Sequence, residues 1–218
     1  MTIIDIHAHI YPDKVAQRAS ESVGEFYSIA MRHDTGSVQR YLDALAPSPI
    51  THSLVHSVAV KPKVVESIND FVAATCKEHA NFIGFATMHQ DYEDPEAEID
   101  RAISLGLKGI KLHPDSQHVD MDDPRLMNVY EIAQARNLPV MIHCGDYRRD
   151  HSHPRRLKNV LHAFPDLRVD AAHFGGWSVY DLAVEYLEDE NCFLDVSSSM
   201  TYLGTRRTKE LCRIYGSD

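Results

Sequence analysis

Seven short apolar runs are spaced along the chain, and longer amphipathic stretches lie between them. Each run is rich in β-branched or aromatic residues and has the length of a buried parallel strand. The predicted strands cover residues 3–9, 51–60, 82–87, 109–113, 139–144, 167–173 and 192–197. Strands that alternate with helices pair in parallel through crossovers, so this pattern predicts an α/β fold.

Helices are predicted between the strands from apolar residues at three- and four-residue spacing. Asp94-Pro95 and Asp123-Pro124 each place an N-cap residue before a first-turn proline, which marks a helix start. One predicted helix begins at Pro95. The others cover residues 37–46, 64–79, 124–137, 177–187 and 205–215. No linker interrupts the alternation, so residues 1–218 are expected to form a single domain.

A doubly wound open sheet and a (β/α)8 TIM barrel both fit this alternation. Single histidines stand at the carboxyl ends of four predicted strands, at His9, His113, His143 and His173. The carboxyl ends of the strands are the face on which barrel active sites assemble. An open sheet would concentrate its site at one switch point, and no glycine-rich nucleotide motif follows the first strand. The pattern therefore favours the barrel.

The eighth strand of this barrel is absent from the given sequence. Leu211, Ile214 and Tyr215 have helical spacing, and Gly216-Ser217-Asp218 predicts a helix stop followed by a turn. We therefore expect seven strands, with the carboxyl-terminal end of the barrel missing. An open barrel exposes strand edges and core side chains, which favours aggregation or pairing with a second copy as a homo-oligomer.

Composition narrows the function classes. The chain has 218 residues, of which 44% are hydrophobic, so it can bury a sizeable core. Its net charge of −10 argues against nucleic acid or anionic membrane surfaces as partners. No run approaches the roughly 20 apolar residues of a membrane span. The first residues lack a basic region and carry Asp5 in their apolar run, so they are not expected to be a secretory signal. Four widely spaced cysteines indicate thiols in a reducing compartment, so a cytoplasmic location is expected.

Candidate chemistry begins with the motif Asp-Ile-His-Ala-His at residues 5–9. Strand alternation puts Asp5, His7 and His9 on one face, where two neutral imidazoles can bind one divalent ion. The alternative is a strand with two half-buried histidines that hydrogen-bond to their neighbours. The recurrence of strand-end histidines along the chain favours the metal site.

Four segments together resemble a known family. They are the amino-terminal Asp-x-His-x-His, Gly-Ile-Lys-Leu-His-Pro at 109–114, Val-Met-Ile-His-Cys-Gly at 140–145, and Asp-Ala-Ala-His-Phe-Gly-Gly-Trp at 170–177. In this order they resemble the amidohydrolase superfamily, and specifically its amidohydrolase-2 and aminocarboxymuconate-semialdehyde decarboxylase-like enzymes. The resemblance implies that His7, His9 and His143 are metal ligands. It implies that His173 is a second-metal ligand or the catalytic histidine that polarises substrate or water.

The resemblance further implies a metal-dependent hydrolase that acts on a small, carboxylate-bearing substrate through a metal-activated water. One divalent ion is implied; zinc is the expected ion because imidazole suits it, and manganese is the alternative. A competing hypothesis is a metal-dependent, non-oxidative decarboxylase of an unsaturated or aromatic acid. A third is a barrel that binds metal or ligand without turning it over.

The family also uses an aspartate at the end of its eighth strand, in a Gly-Ser-Asp turn. Gly216-Ser217-Asp218 has those letters but follows a helix. Family members also carry a Gly-x-Asp between the seventh helix and the eighth strand, and this match is favoured. The catalytic aspartate is therefore expected several residues beyond Asp218.

Substrate contacts are predicted from His113 and from the loop at residues 146–156, which contains four arginines. Arg148 and Arg149 could grip a substrate carboxylate through forked, charge-assisted bonds. The alternatives are a hydrogen-bonded His113 and a solvated loop whose charges pair with Asp146 and Asp150.

The remaining polar residues of interest receive weaker predictions. Lys111 shares a strand face with His113 and is either a carboxylated, metal-bridging lysine or a lysine paired with a carboxylate. Cys144 is predicted to turn away from the metal and pack in the core. Ordinary polar roles are predicted for His52, His56, His79 and His162. The sequence assigns no role to His33, His89, His118 and His151.

Overall fold

A computed structural model describes residues 2–31 and 35–216. Its strands are β1 (Ile4–His9), β2 (His52–His56), β3 (Phe82–Gly84), β4 (Ala86–Thr87), β5 (Ile110–Leu112), β6 (Val140–Ile142), β7 (Val169–Ala171) and β8 (Phe193–Leu194). β3 and β4 are two halves of the third predicted strand, separated only by Phe85. All seven predicted strands are therefore confirmed, although most are shorter than the apolar runs that predict them.

The strands lie side by side in chain order, and every neighbouring pair is parallel. β3 bonds to β2, whereas β4 bonds to β5, so the third strand joins a three-stranded part to a five-stranded part. In the described ranges β1 pairs only with β2 and β8 only with β7. The result is a barrel that stays open between β1 and β8.

The two open edges carry exposed apolar side chains. Ile4 is 48% exposed and Ile6 40% exposed on β1, whereas Phe193 and Val196 are 66% and 44% exposed at β8. This confirms the exposed core side chains expected of an open barrel. The turn predicted at Gly216–Asp218 reaches Ser217 and Asp218, which lie outside the described residues.

Helices connect the strands. They are α1 (Asp13–Tyr27), α2 (Val38–Leu45), α3 (Val65–Glu78), α4 (Pro95–Ser104), α5 (Pro114–Gln117), α6 (Pro124–Ala135), α7 (Pro154–Ala163), α8 (Tyr180–Leu187) and α9 (Met200–Ile214). A short 3-10 helix, Pro62–Val64, precedes α3. Among the helices of the described residues, none combines the length and apolar composition that crossing a bilayer requires.

The helix starts follow from local capping. The Asp94 side chain accepts a hydrogen bond from the Ala97 amide at 3.0 Å, and Asp123 accepts one from the Arg125 amide at 2.9 Å. α7 is capped in the same way by His153, which precedes Pro154. Three of these helices, α1, α5 and α7, were not predicted from the sequence, and α7 begins within the stretch interpreted as a loop.

The core fills the space between the strands and the helices that cover them. Cys144 is fully buried among apolar side chains of this core, which confirms its predicted packing role. Ile110 and Leu112 are also buried in this core, whereas Lys111 between them faces the opposite side of β5 and is fully buried. A charged side chain thus lies inside the barrel, beneath the strand-end histidines.

Candidate active site

Six buried or half-buried histidines gather near the carboxyl ends of the parallel strands. The histidine cluster consists of His7, His9, His56, His113, His143 and His173. β1 ends at His9 and β2 at His56, while His113 and His143 directly follow β5 and β6. Because the carboxyl ends of parallel strands meet at one end of a barrel, residues distant in sequence become neighbours here.

The two histidines of β1 lie together with a third from β2. The His7 and His9 ring centroids are 5.5 Å apart. His9 and His56 are register partners on the neighbouring strands, and their ring centroids are 4.4 Å apart. The register shifts between Asp5 and Ala8, and such a bulge re-aims side chains locally.

His56 was predicted to be an ordinary polar residue that lies away from the site, and this placement is wrong. His56 is fully buried, and its ring centroid lies 5.0 Å from that of His7. The predicted strand continued to residue 60, whereas β2 ends at His56. This earlier end makes His56 a strand-end residue of the same kind as His9, and the apolar run beyond it concealed that position.

Asp195, which sequence analysis did not single out, connects β1 to β7 and β8. Its Oδ2 lies 2.5 Å from Nδ1 of His7. Its Oδ1 accepts hydrogen bonds from the His173 amide at 3.0 Å and from the amide and hydroxyl of Ser197 at 2.9 and 2.6 Å. The available signal was an aspartate at the end of an apolar strand, in the segment Leu-Asp-Val-Ser.

The Asp195 contact determines the tautomer of His7. A carboxylate only accepts, so Nδ1 of His7 carries the proton and Nε2 carries the lone pair. The Lys111 amino group lies 3.2 Å from this Nε2 and donates to it. Burial and the Lys111 charge lower the pKa of His7, which keeps the ring neutral and suited to metal ligation.

Lys111 is fully buried below His7. Burial lowers the pKa of Lys111 to about 8, although the negative charges of Asp195 and Asp170 oppose the shift. Among the described residues the hydrogen bond of its amino group goes to His7 rather than to a carboxylate. A lysine paired with a carboxylate was one of the two alternatives predicted for Lys111. In the described residues this pairing is a charge interaction with Asp195 and Asp170 and not a direct bond.

His143 and His173 face each other with unprotonated nitrogens. Nε2 of His143 lies 2.8 Å from the Gly145 carbonyl, and Nδ1 of His173 lies 2.8 Å from the Ser197 carbonyl. Carbonyls only accept, so these nitrogens carry the protons. The remaining nitrogens, Nδ1 of His143 and Nε2 of His173, lie 3.0 Å apart. Burial lowers both pKa values, that of His173 to about 3, so two lone pairs meet in a buried place.

His113 and Tyr27 cover this pair. The His113 and His143 rings stack with centroids 4.0 Å apart. The Ser116 amide donates to Nδ1 of His113 at 3.3 Å, so Nε2 carries the proton and donates to the Tyr27 oxygen at 2.6 Å. The Tyr27 hydroxyl hydrogen is then a donor in the site, with the unprotonated Nδ1 of His143 3.5 Å from the Tyr27 oxygen. Tyr27 comes from α1, which sequence analysis did not predict.

The arginine-rich loop is largely paired. Arg148 holds Asp146 through two bonds, Nε to Oδ1 at 2.9 Å and Nη2 to Oδ2 at 2.7 Å. Arg155 and Arg156 both bond to Asp150. These pairings match the solvated-loop alternative. Arg149 is held more loosely. Its Nε lies 3.8 Å from Oδ2 of the same Asp146, an ion pair without a hydrogen bond, and this buried Nε has no hydrogen-bond partner within residues 2–31 and 35–216. Its guanidinium lies 4.2 Å from the Phe26 ring centroid.

The sequence pattern of a family described as Amidohydrolase matches residues 4–201. The chain belongs to the amidohydrolase family. This family is metal-dependent and includes hydrolases and decarboxylases. A search of curated proteins found no match for this amidohydrolase.

Solved structures similar to this amidohydrolase share its fold. An uncharacterised TIM-barrel protein of Bordetella bronchiseptica has a TM-score of 0.70 at 18% identity, over 98% of this chain and 80% of that chain. A probable 2-pyrone-4,6-dicarboxylic acid hydrolase of Acinetobacter baumannii, with citric acid bound, has a TM-score of 0.65 at 16% identity, over 99% of this chain and 78% of that chain. A mutant 5-carboxyvanillate decarboxylase of Novosphingobium aromaticivorans, with bound manganese, has a TM-score of 0.62 at 17% identity, over 80% of this chain and 66% of that chain.

The residues of this amidohydrolase fit a divalent ion. Two sets of three side chains bring their ligand atoms within 4.8 Å of one another. The sets are His7, His9 and His56, and His7, His173 and Asp195. His143 belongs to neither set and contacts His173 instead. Neutral imidazoles with unprotonated nitrogens are good donors for zinc and for other divalent ions, so the donor chemistry suits the ion that the family requires.

Proposed function

We propose that this chain is a metal-dependent hydrolase that acts on a small, carboxylate-bearing substrate. The contact between Nδ1 of His143 and Nε2 of His173 carries the proposal. Two buried lone pairs 3.0 Å apart repel each other unless a cation or a proton relieves them. If Nδ1 of His143 binds a metal ion and Nε2 of His173 accepts a proton, the repulsion between the two lone pairs is removed.

The proposed ligands are His7, His9 and His143. Nε2 of His7 is unprotonated, and Asp195 holds the ring in the orientation that presents this nitrogen. Nδ1 of His143 is unprotonated because its other nitrogen donates to the Gly145 carbonyl. When bound, the ion acts as a Lewis acid that lowers the pKa of water from roughly 16 to about 7.

His173 is the proposed catalytic residue. Its Nε2 accepts the proton of the attacking water, while its Nδ1 remains bonded to the Ser197 carbonyl at 2.8 Å. The Asp195 carboxylate bonds to the His173 amide and stands near the imidazolium that forms. The protonated ring then returns this proton to the leaving group.

Substrate binding is assigned to the other side of the cluster. Tyr27 offers its hydroxyl hydrogen to a substrate oxygen, and His113 orients that hydroxyl. Arg149 is proposed to bind the substrate carboxylate, since its Nε makes no hydrogen bond among the described residues and contacts Asp146 through a loose 3.8 Å ion pair. Arg148 supports the loop through its two bonds to Asp146.

Chelation tests this function. Dialysis against a chelator should abolish hydrolysis of a panel of small lactones and amides that carry a carboxylate. One equivalent of zinc or manganese per chain should restore it, and the better ion identifies the natural one. Full activity in rigorously metal-free protein would contradict the proposal.

Non-oxidative decarboxylation is the second candidate. It is supported by a structurally similar enzyme that decarboxylates 5-carboxyvanillate and holds manganese. In this reaction Arg149 would orient the carboxylate that departs. Release of carbon dioxide from hydroxybenzoates or muconate-type acids would favour this candidate, and turnover of lactones or amides without gas would favour hydrolysis.

A further inference from the structure

His56 is a fully buried histidine whose two ring nitrogens have no hydrogen-bond partner among the described residues. Nδ1 of its register neighbour His9 is also buried and without a partner there. His9 belongs to β1 and His56 to the neighbouring β2, so rigid strands hold the two rings side by side. Unpaired buried nitrogens are costly, because water no longer satisfies them.

Another buried histidine of the chain shows the usual solution. His89 is 5% exposed, and its Nδ1 accepts a hydrogen bond from the Asp91 amide at 3.1 Å. Among the residues that the structure describes, His56 has no such bond, although it is more deeply buried. Packing alone would be served as well by a phenylalanine at position 56, which would carry no unsatisfied nitrogen. The unpaired nitrogens therefore indicate a ligand.

We propose that His56 is a metal ligand, which adds an imidazole from β2 to those of His7 and His9. The inference rests on the proposed function, since it concerns the same ion. The ligand atoms of the three side chains lie within 4.8 Å of one another. Zinc–nitrogen bonds of about 2.0–2.1 Å place tetrahedral ligand atoms roughly 3.3 Å apart, so modest ring movements bring the three nitrogens onto one ion.

This assignment makes a prediction that a purely structural role would not. In His56→Phe, an apolar ring of similar shape replaces the unsatisfied imidazole, so the metal-free variant should be at least as stable as the parent. The same variant loses a donor atom and should bind zinc more than about 100-fold more weakly, since even partners of ligands are worth 10–100-fold. Stability and affinity thus change in opposite directions.

The experiment titrates purified, metal-free protein with zinc chloride in competition with a chromophoric chelator, and urea unfolding measures the stability of each variant. His89→Phe is the matched control and should keep the zinc affinity of the parent. If the parent binds zinc and His56→Phe binds it within threefold, His56 is not a ligand, while the proposed function stands. Equal losses in His56→Phe and His89→Phe would also overturn the assignment. If the parent binds manganese chloride but not zinc chloride, the same comparison of variants is made with manganese. If the parent binds neither ion, the inference and the proposed function both fail.

Discussion

Replacing Asp195 with asparagine tests how the site prepares His7 for metal. The amide oxygen of asparagine can still accept from the His173 amide and from Ser197, so the connection between the strands survives. The amide nitrogen that replaces Oδ2 is a donor and cannot accept the proton on Nδ1 of His7. His7 must therefore lose this 2.5 Å contact or move its proton to Nε2.

Either outcome weakens metal binding. A proton on Nε2 removes the lone pair that would hold the ion, and loss of the contact leaves the ring poorly oriented. Changing a partner of a metal ligand costs about 10–100-fold in metal affinity. This corresponds to roughly 1.4–2.7 kcal/mol, at about 1.36 kcal/mol per factor of ten. We expect Asp195→Asn to lie in this range, since the ligand atoms themselves remain.

The assay is zinc affinity by chelator competition at pH 8, with circular dichroism to confirm the fold. Asp181→Asn provides the control, because Asp181 is an exposed carboxylate whose ion pair among the described residues is with the surface residue Arg207. It should bind zinc like the parent. A folded Asp195→Asn with zinc affinity within threefold of the parent would refute the role given to Asp195.

Three further predictions follow from the same site. His173→Ala should keep its bound ion and lose activity, whereas His7→Ala should lose the ion; equal metal loss in both would make His173 a ligand. Tyr27→Phe should lower turnover about tenfold or more without changing metal content, and unchanged kinetics would exclude its hydroxyl as a donor. Metal-free protein should lose stability between pH 7 and pH 5, measured by urea unfolding, because the folded-state pKa values of the cluster histidines lie below the unfolded value. Burial raises the pKa of Asp115 to about 6 and that of Asp170 to about 7, so these two carboxylates stabilise the fold as the pH falls over this range. Six buried histidines act in the opposite direction and outnumber them, and an unchanged urea midpoint would contradict this sign.

The fold was predictable because its signals are local. Seven apolar runs and two Asp-Pro helix starts needed no knowledge of the tertiary structure, and the strand-end histidines followed from them. His56 was missed because the apolar run continued past the end of β2. Asp195 and Tyr27 were missed because their partners are His7 and His113, at separations of 188 and 86 residues. Such contacts exist only once the strands have assembled.

The paired arginines show a second limit. The residue types of the loop at 146–156 suit a substrate carboxylate and an internal aspartate equally well. Only the distances distinguish the two arginines. Arg148 holds Asp146 with two hydrogen bonds, whereas the Nε of Arg149 lies 3.8 Å from that carboxylate and makes no hydrogen bond among the described residues. Sequence alone identified the loop, and geometry separated its members.

Anomalous diffraction at the zinc absorption edge, from crystals grown with zinc chloride, shows whether the histidine cluster is a metal centre. We expect one strong peak inside the cluster, about 2.0–2.1 Å from Nε2 of His7 and from at least two further imidazole nitrogens. A cluster without a peak, or zinc found only at surface carboxylates, would contradict the claim that these histidines form a metal centre.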